Sequence, residues 1–226
     1  MGDVIKLYHG SRIMVYEPIF GFGNLHNDYG RGFYCTKQLA LAKEWACAER
    51  QGGYVNSYFF DMRALSVINL TSRKYNLLNW LGILMDNRIM KINNSNAQAG
   101  KDYLLSEFLP DYRDVDVIIG YRADNSYFSL VNAFLNNTLS LEQLKSATYL
   151  GMLGEQVVIR SQKAFDKMTF FDAVFFKKRI CYPQMLKRDL DARKLMREHV
   201  QKINTKNNTF LSDIVTQGWK NNDPRL

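Results

Sequence analysis

Apolar and polar positions along the chain fall into short blocks whose spacing alternates between two residues and about four, the mark of mixed strands and helices. Val4 to His9 opens apolar and β-branched, reading as a strand that stops at the Gly10-Ser11 turn. Pro18 to Tyr29 is a loop, with Gly21, Gly23, Asn24, Asn27 and Asp28 as turn formers. Gly30-Arg31-Gly32 then leads into a short strand, Phe33-Tyr34-Cys35. Thr36 is placed to cap a helix from Lys37 to about Arg50, whose Leu39, Ala42 and Ala46 share a face. Tyr54 to Met62 alternates in strand fashion, and Leu65 to Leu70 makes a second short strand.

Helical spacing follows over Tyr75 to Lys91 and Lys101 to Leu109, then Val115 to Tyr121 reads as a buried strand. A helix opens at Asn125 or Ser126 and runs through Phe134, and Ser140-Leu141-Glu142-Gln143 forms a capping box for another to about Tyr149. Glu155 to Arg160 and Met168 to Phe176 are strands. Pro183 starts a basic helix to about Lys202, in which Met185, Leu186, Leu190, Leu195 and Met196 pack, and Thr209 to Trp219 predicts a last helix. Short, discontinuous strands with helices between them predict an α+β fold.

Composition narrows this little. At 226 residues and 46% hydrophobic, the chain suits one domain with embellishments. The net charge of +8 is uneven: 15 Lys/Arg against 7 Asp/Glu fall from Arg160 onward, leaving the first 159 residues neutral. That basic end is either a solvated helix face or a surface for nucleic acid or an acidic protein. The start has no signal-peptide pattern and no stretch is apolar enough to span a membrane, so a cytoplasmic protein is expected. Cys35, Cys47 and Cys181 have no motif spacing and read as free thiols. His9, His26 and His199 lie far apart, which argues against a metal site.

Three segments carry candidate chemistry: Leu7-Tyr8-His9-Gly10-Ser11, Gly30-Arg31-Gly32-Phe33-Tyr34-Cys35-Thr36 and Leu153-Gly154-Glu155-Gln156-Val157-Val158. Together and in this order they resemble the His-Tyr-Glu branch of the ADP-ribosyltransferases, that of the poly(ADP-ribose) polymerases and diphtheria-type toxins. Those polymerases carry His-Gly-Ser/Thr, Gly-Lys-Gly-Ile-Tyr-Phe-Ala and Asn-Glu-Tyr-Ile-Val, with a second aromatic on the helix after the motif Tyr, at the position of Trp45 here. Closer still is the likeness to an uncharacterised bacterial family with Leu-Tyr-His-Gly-Ser, Gly-Arg-Gly-Phe-Tyr and Gly-Tyr-Arg-Ala-Asp-x-Ser-Tyr-Phe segments, the last matched by Gly120 to Phe128. Its members often look like toxins of toxin–antitoxin pairs.

The resemblance implies a split β-sheet catalytic domain over residues 1–180 and a basic helical extension over 181–226 packed on it. It implies an enzyme that cleaves NAD, its substrate, at the nicotinamide and transfers ADP-ribose to a macromolecular acceptor, protein or nucleic acid, with an antitoxin protein as a further partner. Breaking the nicotinamide–ribose bond builds positive charge on the ribose. In this reading Glu155 grips the ribose 2′-hydroxyl, Tyr34 and Trp45 stack on nicotinamide, and His9 holds a ribose hydroxyl. Gly10 and Ser11 meet the carboxamide, and Arg31 or Arg12 the pyrophosphate. Gln156 either orients an acceptor or turns to the opposite face of its strand. Arg122 and Asp124 either wall the acceptor site or are satisfied internally. Two other readings stay open: an NAD glycohydrolase, and a degenerate transferase fold that binds nucleic acid or protein.

Overall fold

The computed structural model describes residues 4–47, 52–90, 92, 94–123, 125–150, 154–179 and 208–226, with scattered positions between 182 and 198. It is an α+β protein with two open sheets and, among the described residues, seven helices. The strands are β1 Val4–Ser11, β2 Phe33–Cys35, β3 Gly53–Asp61, β4 Val67–Asn69, β5 Val117–Tyr121, β6 Glu155–Ile159 and β7 Met168–Phe176. The helices are α1 Leu39–Cys47, α2 Leu77–Asn87, α3 Ser95–Glu107, α4 Asn125–Leu135, α5 Leu141–Leu150, α6 Gln162–Phe165 and α7 Leu211–Thr216.

One sheet runs β1-β3-β7 and the other β2-β6-β5-β4. Period-two alternation places the layers. Val117, Ile119, Val157 and Ile159 point into a core shared with Leu7 and Phe60 of the first sheet. Their neighbours Ile118 and Val158 point the other way, into a larger core built on α2 to α5. Leu211, Ile214 and Trp219 join that larger core, so the end of the chain packs on the body of the fold. Strands β4 and β5 are parallel and need a crossover, which α2 and α3 supply.

Local differences from the expected elements have plain causes. Thr36 accepts a bond from Gln38 N at 3.1 Å, but its own backbone is held in a bridge to Tyr8, so α1 starts at Leu39. Helix α3 begins at Ser95, six residues before the expected start, because the Asn94 side chain caps it through Ala97 N at 2.7 Å. The capping box of α5 forms as expected, with Ser140 N on Gln143 Oε1 at 2.9 Å and Gln143 N on Ser140 Oγ at 3.2 Å. The expected basic helix over 183–202 falls largely outside the described residues. Of the expected free thiols, Cys35 is free and buried, whereas Cys47 is disulfide-bonded; sequence spacing does not report proximity in space. The cytoplasmic expectation therefore loses the support of the thiol count. No helix among the described residues is long and apolar enough to cross a membrane.

The two sheets are joined at one isolated antiparallel bridge, in which Tyr8 N reaches Thr36 O at 2.8 Å and Thr36 N reaches Tyr8 O at 2.9 Å. Continuing that register would set Gly10 against Tyr34, but the paired strand stretch goes no further and the strands part there. Helix α1 closes on β1 at this point. A Cβ on Gly10 would lie 2.1 Å from the Ala42 carbonyl oxygen and 2.6 Å from Ala46 N, both backbone atoms that cannot yield cheaply. Gly10→Ala is therefore expected to destabilise the fold by about 2 kcal/mol or more, read as a lowered urea midpoint at unchanged m-value.

Candidate functional site

Where β1 and β2 part, a cavity of about 870 Å³ opens, within the range of roughly 300–1,000 Å³ usual for small-molecule sites. His9, Gly10, Ser11, Tyr34, Trp45 and Gln156 all line it, bringing together residues that span most of the chain. The loop after β1 supplies an apolar outer wall, with Ile19 and Phe22 strongly exposed.

His9 Nδ1 lies 2.7 Å from the Tyr34 carbonyl oxygen, which only accepts, so Nδ1 carries the proton and Nε2 is left as an acceptor. Burial holds the His9 pKa below the usual histidine range, against the opposing effect of that bond, and the ring packs at 4.2 Å on Phe33. Tyr34 is fixed by its hydroxyl, which donates to Gly30 O at 2.7 Å and accepts from Tyr29 N at 3.0 Å. That hydroxyl is engaged with the turn, so what Tyr34 offers a ligand is its ring. The Ser11 hydroxyl donates to Ile13 O at 2.6 Å and accepts from the buried Asn56 amide at 2.9 Å, which ties the loop to β1 and β3.

The strand parity of β6 decides between its two polar residues. Gln156, 5% exposed, shares the face of Val158 and lines the cavity. Glu155 shares the other parity and is not among the cavity's lining residues. Its carboxylate lies 3.4 Å from Lys37 Nζ and accepts from Thr71 Oγ1 at 3.2 Å. Glu155, expected at a bound ribose, thus lies outside this cavity's lining, and Gln156 lies in it. The Gln156 side chain lies beside Asp28 and holds its carboxyl lower, and its own Oε1 is buried with no hydrogen-bond partner. A buried unsatisfied acceptor costs about 1–3 kcal/mol, which turning the amide toward a donor would recover.

Beside Gln156 the cavity has a charged floor of Asp28, Arg88 and Arg122. Asp28, read as a turn former, is 6% exposed and accepts from Ala123 N at 3.0 Å. Burial pushes its carboxyl above the usual range, while that bond, Arg88, Arg122 and Gln156 pull it down. Arg88 Nε sits 3.0 Å from Asp28 Oδ1, close but poorly aligned for a hydrogen bond. Arg122 lines the cavity and lies 3.6 Å from the buried Glu44. Arg31 is exposed, and neither it nor Arg12 is in the lining, so the cations at the cavity are Arg88 and Arg122. Asp124 lies outside the described residues. No cluster among the described residues offers three or more metal-ligand side chains.

A sequence model of a family described as "Protein of unknown function (DUF3990)" matches residues 5–170, from β1 into β7. The chain belongs to the DUF3990 family. The matched span of this DUF3990 member holds every cavity residue named above. No curated protein and no solved structure matches the chain.

The neutral, buried His9 sets a pH dependence. Its folded pKa lies below its unfolded one, so between the two the unfolded chain binds more protons and stability falls as pH falls. Native protein should lose stability between about pH 7 and pH 5, and His9→Gln should flatten that slope. Urea midpoints measured across this window check it; an unchanged slope in the variant contradicts it.

Proposed function

We propose that the protein is an NAD-dependent ADP-ribosyltransferase that cleaves the nicotinamide–ribose bond and passes ADP-ribose to a macromolecular acceptor. The observation that supports this most is the convergence of His9, Tyr34, Trp45 and Gln156 on one cavity, from segments whose motifs resemble that superfamily. The two sheets meeting at one bridge are in keeping with a split-sheet core of that type. The toxin role, and an antitoxin partner, rest on the resemblance alone.

The chemistry follows from the groups present. The C–N bond breaks heterolytically, nicotinamide leaves as a neutral ring with the electron pair, and positive charge develops on the ribose. The acceptor's nucleophile then bonds the anomeric carbon and gives up its proton. In this reading the Tyr34 and Trp45 rings, both in the cavity lining, stack on the flat, cationic nicotinamide. His9 Nε2 is an acceptor, and the buried, unpartnered Gln156 Oε1 becomes a second when its amide turns toward the cavity; the two suit the two hydroxyls of one ribose. A hydroxyl held by Gln156 is bonded more strongly as the ring becomes cationic, so the contact favours the transition state over the ground state. The Asp28 carboxylate, beside the same amide, adds negative charge there. Arg88 and Arg122 supply positive charge for the pyrophosphate.

Nicotinamide release from NAD, measured beside transfer of labelled ADP-ribose to cell lysate, tests the proposal. Gln156→Ala should lower release by about 10²–10³-fold, and Glu155→Ala by less than about tenfold. Release without labelling would assign an NAD glycohydrolase. If native protein neither binds NAD nor releases nicotinamide, the catalytic proposal fails and a binding module remains.

A further inference from the structure

A second cavity, of about 430 Å³, lies between the loop after β4, helix α5 and the last residues of the chain. Arg73, Lys74 and Lys145 line it, and none has a carboxylate ion pair among the described residues. Lys74 does lie over the Tyr75 ring, at 5.4 Å.

The nearby carboxylates are occupied. Asp223, also in the lining, is clasped by Arg225 through Nε at 2.7 Å and Nη2 at 2.7 Å. Glu142, one turn before Lys145 on α5, accepts from Thr209 N at 2.9 Å. Lys145 is half-buried, and burial depresses its pKa despite Glu142 nearby. Three cations without an ion-pair partner at one concavity, one of them partly desolvated, form an arrangement that an anion stabilises.

The remaining lining narrows the anion. Tyr75 and Tyr121 border the cavity, offering aromatic surface for a flat ring, and Thr148 adds a hydroxyl. Three cations exceed what a single carboxylate needs and match a dianionic phosphate. We propose that this second cavity binds a phosphate-bearing ligand of nucleotide size, either a free nucleotide or the phosphorylated end of a nucleic acid. The proposal stands apart from the NAD reading, since none of the NAD-site residues named above lines this cavity.

Calorimetric titration of the full chain with AMP, adenosine and inorganic phosphate tests it. AMP should bind at least about tenfold more tightly than adenosine, and phosphate should compete with it. Lys145→Met should weaken AMP about tenfold or more. The doubly substituted R73A/K74A chain should do the same, and both of its positions are exposed, so folding is not at stake. Gln156→Ala, in the other cavity, should leave this binding unchanged. An oligonucleotide with a 5′-phosphate that binds more tightly than AMP and than its 5′-hydroxyl form would assign a nucleic-acid end; binding no tighter than AMP would assign a free nucleotide. No AMP binding at millimolar concentration, equal binding of adenosine, or a loss seen in Gln156→Ala but not in the cation variants would overturn the proposal.

Discussion

The bridge between Tyr8 and Thr36 is the constraint on which the site depends. It fixes β1 against β2 at one point, and beyond it the strands part at Gly10 and Tyr34. His9 Nδ1 then reaches across the gap to the Tyr34 carbonyl, so the two strands are held apart at a set distance instead of zipping together. Helix α1 fits only because position 10 lacks a Cβ, and the same approach brings Trp45 to the cavity wall. A pocket lined by backbone edges and stacked rings is the result. Its shape comes from pairing that stops early more than from any single large side chain.

The second constraint is parity along β6. Val157 and Ile159 are drawn into the core between the sheets, and that burial fixes which way every residue of the strand points. Gln156 is thereby committed to the cavity and Glu155 to Lys37 and Thr71. A one-residue shift would exchange the two, at the cost of turning apolar side chains out of both cores. The choice between an amide and a carboxylate at the cavity is thus made by packing in the core between the sheets. Asp28, also in the cavity lining, brings negative charge beside that amide.

Much of this was legible in the chain. The strand at Phe33–Cys35, the long strand at Met168–Phe176 and the capping box at Ser140 and Gln143 follow from local pattern, and the structure has them there. His9, Gly10, Ser11, Tyr34 and Trp45 sit in recognisable local settings and share one cavity. What local pattern does not carry is contact between distant positions. Asp28 looks like any loop aspartate until Ala123 N and Arg88 close on it, and Arg88 follows α2 with no motif around it. The facing of Glu155 and Gln156 is likewise invisible without register, because Glu-Gln-Val-Val reads equally well on either face. Pairing of β4 with β5 in parallel depends on a crossover of two helices, a tertiary fact that no short window contains.

In the proposed function, the gap between β1 and β2 holds a ribose whose hydroxyls are gripped by His9 and Gln156. The most direct measurement is a crystal structure with a non-hydrolysable NAD analogue. Ribose hydroxyls are expected within hydrogen-bond distance of His9 Nε2 and Gln156 Oε1, with the nicotinamide ring between Tyr34 and Trp45. A ribose held instead by Glu155 outside this cavity, or an analogue bound elsewhere with Gln156 Oε1 still unpartnered, would contradict it.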